Sequence, residues 1–343
     1  MQRLMQRPSV LARYREEVDA ELRAAFDGCS SPLYDMLRYH LGWQTADGRP
    51  VDGSAGKGLR STLCLLTCEA LAGDRNMALP ASVALELVHN YSLIHDDIQD
   101  RDLERRHRPT VWAVWGEAQA INAGSAMRQL AGLTLRKLVP RGVSPERALC
   151  AMALVDETCL RLLEGQWLDI SFESRLDVGL SEYLDMISLK TGALLGCAAE
   201  LGALLAFEDD SAAAFQRFGR NLGLAFQVRD DALGIWGDGD DTGKPAGSDI
   251  RRKKKSFPII CALQDSSPAA EELRRIYSQP QIDEGQVAIV LDLLSSLGVR
   301  EATRQTAEDY RDRALAEIAS LPLQPDARGD LEELARFLVD RSH

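Results

Sequence analysis

Apolar residues recur every three or four positions along almost the whole chain, and this spacing constrains the fold more than any other feature. In VALELVHNYSLIHDD, one helix face would carry four apolar residues, Val83, Leu87, Tyr91 and Ile94. The C-terminal stretches ATRQTAEDYRDRALAEIASL and DLEELARFLVDRS follow the same spacing. No run shows sustained strand-like alternation, and no hairpin signal such as Asn-Gly occurs. The pattern predicts an all-α protein.

The breaks in this pattern are short and polar. Glycine, proline, aspartate and serine cluster at ADGRPVDGSAGKG, SRLDVG, GDGDDTGKPAGS and SQPQ. None of these is long enough to link two domains, and no fixed-period repeat appears. The 343 residues, 45% of them hydrophobic, are sufficient for a large core. We therefore expect residues 1–343 to form one all-helical domain.

Charge and cysteine content narrow the partners and the compartment. A net charge of −12 argues against general binding to nucleic acid or to an anionic membrane. The start, MQRLMQRPSVLARYREEV, lacks the apolar core of a secretory signal. The most apolar stretch, TGALLGCAAELGALLAF, is shorter than the roughly 20 residues of a membrane span. Seven cysteines without a CxxC pair indicate free thiols, so we expect a cytoplasmic protein without stable membrane insertion.

The segment DDIQD places two carboxylates on one helix face. Asp96 and Asp100 are four residues apart and so lie one turn apart, while Asp97 lies about 100° around the helix. Carboxylates this close repel each other unless a cation joins them. Mg²⁺ suits such a site because it takes a few carboxylates, water and phosphate oxygens. The alternative for this motif alone is a solvated acidic helix face.

A second acidic pair, Asp230 and Asp231, follows an apolar helical run in FQVRDDALGIWGD. Gly234 stands where a fifth-position carboxylate would complete a second DDxxD, and Asp238 follows one turn later. Two acidic faces on otherwise apolar helices are hard to explain as surface features. If they faced each other across a cavity, they would hold metal ions around one polyphosphate.

Lysine accounts for only seven of the 40 basic residues, and six of the seven fall in three short segments. These segments are GKGLR with Lys57, LKTG with Lys190, and TGKPAGSDIRRKKKS with Lys244, Lys253, Lys254 and Lys255. A lysine ammonium is a compact point charge for a phosphate oxygen, whereas arginine offers a planar fork. The lysines therefore indicate phosphate contacts, although a solvated loop is the favoured interpretation for Lys253 and Lys255.

Seven segments occur in an order that resembles the trans-isoprenyl diphosphate synthases of the polyprenyl synthetase family. They are GKGLRSTL, ELVHNYSLIHDDIQD, RRHRPT, LLEGQWLD, KTGALLGCAAELGALLA, FQVRDDALGIWGD and TGKPAGSDIRRKKKSFP. The resemblance covers residues 54–258. It implies the isoprenoid synthase fold, a single-domain bundle of many helices around a central apolar cavity, and a family tendency to form homodimers.

The resemblance also implies a metal cluster. In such enzymes, Asp96, Asp97 and Asp100 would hold two Mg²⁺ ions on the allylic diphosphate. Asp230 and Asp231 would hold a third. These five aspartates, with Lys190, would carry the catalysis. The cluster would be supported from a middle helix by a further pair, Gln166 and Asp169.

Two substrates are implied, an allylic diphosphate and isopentenyl diphosphate. The resemblance assigns to the allylic diphosphate Arg105, Lys190, Thr191, Gln227, Lys244 and Lys254. It assigns to isopentenyl diphosphate Lys57, Arg60, His89 and Arg106. The implied reaction ionises the allylic C–O bond, adds isopentenyl diphosphate and eliminates a proton, and we find no nucleophile motif in the sequence.

Two features bear on metal binding and product length. Gly234 removes a carboxylate, so the second motif would rest on Asp230 with help from Asp231 or water.

Tyr91, five residues before Asp96, would lie just over one turn below the metal face and obstruct a growing chain. With the small Ser92 beside it, Tyr91 resembles the corresponding residue of short-chain synthases. We expect geranylgeranyl diphosphate (C20), with farnesyl diphosphate (C15) close behind.

Two other functions compete with this hypothesis. A class I terpene cyclase also uses an aspartate-rich helix and Mg²⁺, but it usually carries an NDxxSxxxE-type motif, which is absent here, and lacks the isopentenyl ligands. A non-catalytic partner subunit would typically have damaged aspartate motifs, whereas DDIQD is intact.

Overall fold

The structure is a computed structural model that describes residues 8–51, 53, 56, 58–237 and 246–340. Lys57, Lys244 and Asp238 lie outside the described residues. The α-helices are α1 (Val10–Arg13), α2 (Arg15–Ala24), α3 (Pro32–His40), α4 (Leu59–Ala70), α5 (Arg75–Gln99), α6 (Val111–Trp115), α7 (Glu117–Leu135), α8 (Pro145–Phe172), α9 (Leu180–Ile187), α10 (Ala193–Leu205), α11 (Asp209–Trp236), α12 (Ser248–Arg251), α13 (Phe257–Leu263), α14 (Pro268–Tyr277), α15 (Glu284–Ser296), α16 (Val299–Ile318) and α17 (Pro325–Asp340).

Side-chain caps explain where several helices begin. The Asp74 carboxylate accepts a hydrogen bond from the backbone N of Asn76 and starts α5, and the Ser144 hydroxyl does the same for Arg147 at the start of α8. At α15, Asp283 and Gln286 form a reciprocal capping box. Each cap satisfies backbone donors that the first helical turn leaves unpaired. The all-α prediction is confirmed.

One short hairpin departs from the sequence analysis, which found no hairpin signal. Strands β1 (Glu104–Arg105) and β2 (Arg108–Pro109) pair antiparallel just after the first aspartate motif. The two turn residues, Arg106 and His107, have φ values of 52° and 60°. Left-handed residues match the twist of a two-residue hairpin, but they are normally glycine or asparagine. The usual sequence signal is therefore missing, although the turn itself forms.

The most apolar segment of the chain is a core element. Residues Leu180–Leu205 run through α9, a π-helical turn (Ser188–Gly192) and α10. By length and composition this segment could cross a membrane, but 78% of its most apolar 18 residues are buried within the protein. It packs against α4, α8 and α11 in the main hydrophobic core. Its apolar character is therefore explained by helix packing.

Candidate active site

A cavity of about 450 Å³ lies between α4, α5, α8, α11 and the π-helical turn, with the hairpin at its edge. Its apolar wall includes Leu93, Leu162, Leu194 and Phe226. Its polar lining includes predicted site residues from several distant segments, namely Arg60, His89, Ser92, Asp96, Arg105, Arg106, Lys190, Thr191, Gln227 and Asp230. The fold thus brings the two aspartate motifs and both groups of cationic residues to one place.

The first aspartate motif divides between neighbouring spaces. Asp96 lines the main cavity. Asp100, one turn further along α5, lines an adjoining space of about 170 Å³ together with Asp169 and Lys254. Lys190 lines both spaces, and its charge opposes the rise in the pKa of both carboxylates. Asp96 and Asp100 therefore form a continuous acidic edge, as their spacing predicts.

Asp97 is turned away from this edge. Its side chain is 1% exposed, and its Oδ1 accepts a hydrogen bond of 2.7 Å from Nε of Arg105. It lines a separate cavity of about 390 Å³, beside Tyr39 and Arg108. The 100° step between consecutive helical residues accounts for this direction. The arrangement suits Asp97 to holding Arg105 in place through Oδ1, while Oδ2 has no hydrogen-bond partner among the described residues, so metal ligation by Asp97 stays a prediction.

Burial changes the acidity of the first motif. It raises the pKa of Asp96 to about 6, because loss of water disfavours the anion, although the Lys190 charge opposes the shift. Burial likewise raises the pKa of Asp97 to about 6 against the attraction of Arg105. The pKa of Asp100 is also raised by burial. A bound cation would stabilise all three carboxylates in their ionised form.

The second motif separates its two aspartates even more sharply. Asp230 is exposed and lines the main cavity. Asp231 is 1% exposed, and its Oδ2 accepts hydrogen bonds from the Tyr183 hydroxyl and from the backbone N of Phe257, the latter at 2.8 Å. Burial, with the adjacent Asp231 charge, raises the pKa of Tyr183, so this hydroxyl keeps its proton.

The other oxygen of Asp231 is also occupied. Its Oδ1 accepts from Nε2 of Gln227 at 3.1 Å and from Nζ of Lys254 at 3.3 Å. The charge of Asp231 is the main cause that raises the pKa of Lys254. With four donors on one carboxylate, Asp231 anchors Lys254 and Gln227 and is poorly placed to ligate a metal directly.

Lys190 lies in the π-helical turn between α9 and α10. Its Nζ donates to Oδ2 of Asp169 at 2.6 Å. The turn lies against α8 because residue 165 is glycine: a Cβ there would lie 2.4 Å from the backbone N of Lys190. In the same turn, the Thr191 hydroxyl donates to Oε1 of Gln227 at 2.8 Å. A π-helical turn in an α-helix is frequent at functional sites.

Three cationic or imidazole groups form the opposite wall. Burial, followed by the charge of Arg60, lowers the pKa of His89 well below its usual value, so the imidazole is neutral. Burial also lowers the pKa of Arg60 and of Arg106, although both guanidiniums remain charged. Among the described residues, Nε of Arg60 is a buried donor without a hydrogen-bond partner. An anionic ligand would satisfy this donor.

Sequence reasoning missed two buried charges near the site. Glu86 is 4% exposed, lines the cavity, and accepts hydrogen bonds from the backbone N and hydroxyl of Ser61. The sequence feature that could have identified Glu86 is a lone glutamate in an apolar helix, one turn before His89. Lys255 is 6% exposed and lies 5.6 Å above the Tyr277 ring, so the solvated-loop interpretation is wrong for this lysine.

Gln166 is hydrogen-bonded to the end of α5. Its Nε2 donates to Oε1 of Gln99 at 2.9 Å, which joins α8 to the end of α5 beside the first motif. Asp169, three residues later, pairs with Lys190. The two residues therefore act on different neighbours.

The acidic side chains fit Mg²⁺ only in combination with a ligand. Within the described residues, no three His, Cys, Asp or Glu side chains converge on one metal position. Mg²⁺ is usually held by one or two carboxylates, water and substrate phosphates, because it dehydrates reluctantly. Asp96 and Asp100 on one side, with Asp230 on the other, suit a metal shared with a bound diphosphate.

The chain was compared with known protein families and with curated relatives. The family model described as polyprenyl synthetase matches residues 50–294. The (2E,6E)-farnesyl diphosphate synthase of Mycobacterium tuberculosis is 38% identical over 97% of this chain and 92% of the relative. The geranylgeranyl diphosphate synthase of the same organism is 40% identical over 93% of this chain and 90% of the relative.

Solved structures show the same similarity. A polyprenyl synthetase from Streptomyces coelicolor superposes with a TM-score of 0.89 at 38% identity, over 96% of this chain and 99% of the other. A Corynebacterium glutamicum geranylgeranyl pyrophosphate synthase complexed with isoprenyl diphosphate and magnesium gives 0.81 at 25% identity, over 97% and 99%. The helical fold, the matched family model and the identity over nearly the full length together show that the chain belongs to the polyprenyl synthetase family.

Proposed function

We propose that the protein is a short-chain trans-prenyltransferase that condenses isopentenyl diphosphate with an allylic diphosphate to give a C15 or C20 product. One observation carries the proposal: Asp96 and Asp230, from two distant helices, line a single cavity with Arg60, Arg106 and Lys190. Carboxylates and cations together suit a metal-bound diphosphate, because the carboxylates can bind Mg²⁺ while the cations bind the phosphate oxygens. The two M. tuberculosis relatives, a farnesyl and a geranylgeranyl diphosphate synthase, support this product range.

The two substrates would bind at different ends of the cavity. The allylic diphosphate would contact Arg105, Thr191 and Gln227, with Lys190 and Lys254 as point charges. Lys244, which lies outside the described residues, is proposed to join them. The buried donor of Arg60 and the neighbouring His89 and Arg106 support an isopentenyl diphosphate site, to which we also assign Lys57.

Magnesium is the proposed cofactor, with three ions in each active site. Asp96 and Asp100 would hold the ions of the first motif and Asp230 that of the second, while Asp169 supports the cluster through Lys190. The Corynebacterium structure, which is complexed with magnesium, supports the choice of metal. The ions would neutralise the diphosphate and so make it a better leaving group. Asp97 and Asp231 then act by positioning Arg105 and Lys254.

The side chains around the cavity support a reaction through an allylic cation. Arg105 and Lys190 stabilise negative charge as the allylic C–O bond breaks. Leu162, Leu194 and Phe226 keep water from the cation, because water would quench it. The double bond of isopentenyl diphosphate then attacks the allylic cation and forms the new C–C bond. The resulting cation loses a proton from the adjacent carbon to an oxygen of the released diphosphate, which restores a double bond. The neutral His89 remains a hydrogen-bonding group.

Product length is proposed to depend on the wall below Asp96. Ser92 lies on that wall, one turn before Asp96, and its small side chain leaves room for a growing chain. Tyr91 is buried, with 4% of its surface exposed. It is not one of the described residues that line the cavity. It packs edge-on against His95. We propose that Tyr91 limits the depth of the cavity from behind Ser92.

We further propose that the protein works as a homodimer. Seven exposed large apolar residues lie on the neighbouring helices α7 and α8, with Trp167 at 69%. They are Ile121, Leu133, Leu149, Leu160, Leu163, Trp167 and Ile170. A concentration of exposed apolar side chains is typical of a subunit interface. We also propose that the whole chain is one domain. Because thiols are kept reduced in the cytoplasm, the free cysteines support a cytoplasmic location.

Incubation with Mg²⁺, isopentenyl diphosphate and each allylic primer in turn tests this function. We expect C15 or C20 diphosphates by chromatographic sizing after dephosphorylation. A hydrocarbon formed from an allylic diphosphate alone would instead indicate a cyclase. A protein that is inert alone but changes the products of another synthase would indicate a partner subunit.

A further inference from the structure

The two aspartate motifs differ in their fifth position. In the first motif, Asp96 and Asp100 form a pair one helical turn apart on α5. In the second, Asp230 is followed one turn later on α11 by Gly234. Side chains four residues apart on a helix are neighbours, with Cβ atoms about 5–6 Å apart. The second helix therefore lacks the carboxylate that would pair with Asp230.

The space beside Gly234, where a side chain would otherwise lie, is filled by a carboxylate from elsewhere in the chain. A Cβ built on Gly234 would lie 2.2 Å from Oδ2 of Asp249 and 2.5 Å from its Cγ. Carbon and oxygen atoms that are not bonded cannot approach so closely. The Asp249 carboxylate thus lies where the side chain of residue 234 would begin, and glycine is required for it to remain there.

Backbone and side-chain contacts seat Asp249 at this position. The Ser248 hydroxyl donates to the carbonyl of Gly234 at 3.3 Å, and the backbone N of Gly247 donates to the carbonyl of Ile235 at 3.0 Å. These bonds hold the start of α12 against the last turns of α11. The position of the Asp249 carboxylate therefore follows from how the two helices dock.

Asp249 also contacts the lysine that Asp231 anchors. The backbone N of Lys254 donates to the carbonyl of Asp249 at 2.9 Å. Nζ of Lys254 lies 3.8 Å from Oδ2 of Asp249 and 3.3 Å from Oδ1 of Asp231. Two carboxylates, one on α11 and one on α12, thus hold a single ammonium at the edge of the diphosphate site.

We propose that Asp249 is a positioning residue that replaces the missing fifth-position carboxylate of the second motif. It places negative charge on the Asp230 face of α11 and orients Lys254 toward the diphosphate. The inference rests on the proposed function, because both effects concern a diphosphate bound with Mg²⁺. On this account, Gly234 is the residue that admits Asp249, and the second acidic pair is assembled from two helices.

The decisive variant displaces the carboxylate without removing it. Gly234→Ala introduces the Cβ that overlaps Asp249, although alanine by itself favours a helix over glycine. Gly329→Ala on α17 is the matched control, because nothing lies within 4 Å of a Cβ at that position. Asp249→Ala removes the carboxylate, and Gly234→Asp/Asp249→Ala returns one to the same face from the other helix.

Calorimetric titration of Mg²⁺ in the presence of inorganic diphosphate is the readout. We expect Gly234→Ala and Asp249→Ala to weaken apparent Mg²⁺ affinity about tenfold, the usual effect of losing a group that supports metal ligands. The double variant should recover most of this loss, and Gly329→Ala should match the wild type. The KM for the allylic diphosphate should rise in the two single variants more than kcat falls.

Two results would overturn the inference: wild-type Mg²⁺ affinity in Gly234→Ala, or a double variant no better than Asp249→Ala. Either result with an active wild-type enzyme leaves the proposed function intact. A wild-type protein that neither binds Mg²⁺ with diphosphate nor condenses substrates would instead reject both. Circular dichroism of each variant before titration separates loss of binding from loss of folding, and the double variant tests the proposal even if a single variant unfolds.

Discussion

Replacing each of the two adjacent aspartates of the second motif by alanine should change the free energy of unfolding by very different amounts. Asp231→Ala removes the acceptor for the Tyr183 hydroxyl and for the backbone N of Phe257. Both donors belong to residues that are at most 2% exposed, so water cannot replace the carboxylate. A buried unsatisfied donor costs roughly 1–3 kcal/mol, so we expect the free energy of unfolding to fall by roughly 2–6 kcal/mol. The Lys254 contact adds little, because its side chain is 42% exposed.

Asp230→Ala is the matched control on the next residue of the same helix. Its side chain is exposed, so we expect the free energy of unfolding to fall by less than in Asp231→Ala. Helix propensity changes equally in the two variants and cancels in their difference. Urea-induced unfolding followed by circular dichroism measures both, and Asp230→Ala should lose condensation activity while staying folded. Equal stability of the two variants would refute the anchoring role of Asp231.

Other predictions concern product length, assembly and pH. Ser92→Phe narrows the cavity below Asp96 and should shorten the product, whereas Tyr91→Ala deepens it and should lengthen the product; unchanged chromatograms for both would contradict this. Trp167→Glu should give a monomer by light scattering, and Ile289→Glu, an exposed residue on α15, should leave the dimer intact. Because burial raises the pKa of Asp96 to about 6 from an ordinary value near 4, the unfolded chain loses this proton first. The free energy of unfolding of the metal-free protein should therefore fall as the pH rises from about 4 to 6. In Asp96→Asn this fall should be smaller.

The helical class could be predicted from the sequence because it depends on local spacing, whereas the meeting of the two motifs was an expectation that the family resemblance implied. A period of three to four residues indicates helices, and Asp96 and Asp230 each follow an apolar run. The resemblance then supplied the cationic residues around them. Ten of the predicted side chains line the one cavity, which agrees with that expectation.

The directions of individual carboxylates could not be predicted, because they depend on partners that are distant in the chain. Asp231 is buried by Tyr183 and Phe257, and neither position is marked by the motif. Lys255 looked solvated within a basic run, yet it lies over Tyr277. The carboxylate that fills the space of Gly234 comes from Asp249, on a separate helix. Such contacts follow from tertiary packing and leave no local signal.

The central claim is that the two acidic helices share one metal-bound diphosphate, and anomalous diffraction tests it most directly. Crystals grown with Mn²⁺ and inorganic diphosphate should show anomalous peaks between Asp96 and Asp100 on one side and Asp230 on the other, with diphosphate density joining them. Diphosphate bound away from this cavity, or Mn²⁺ on only one acidic helix with no bridging density, would contradict the account.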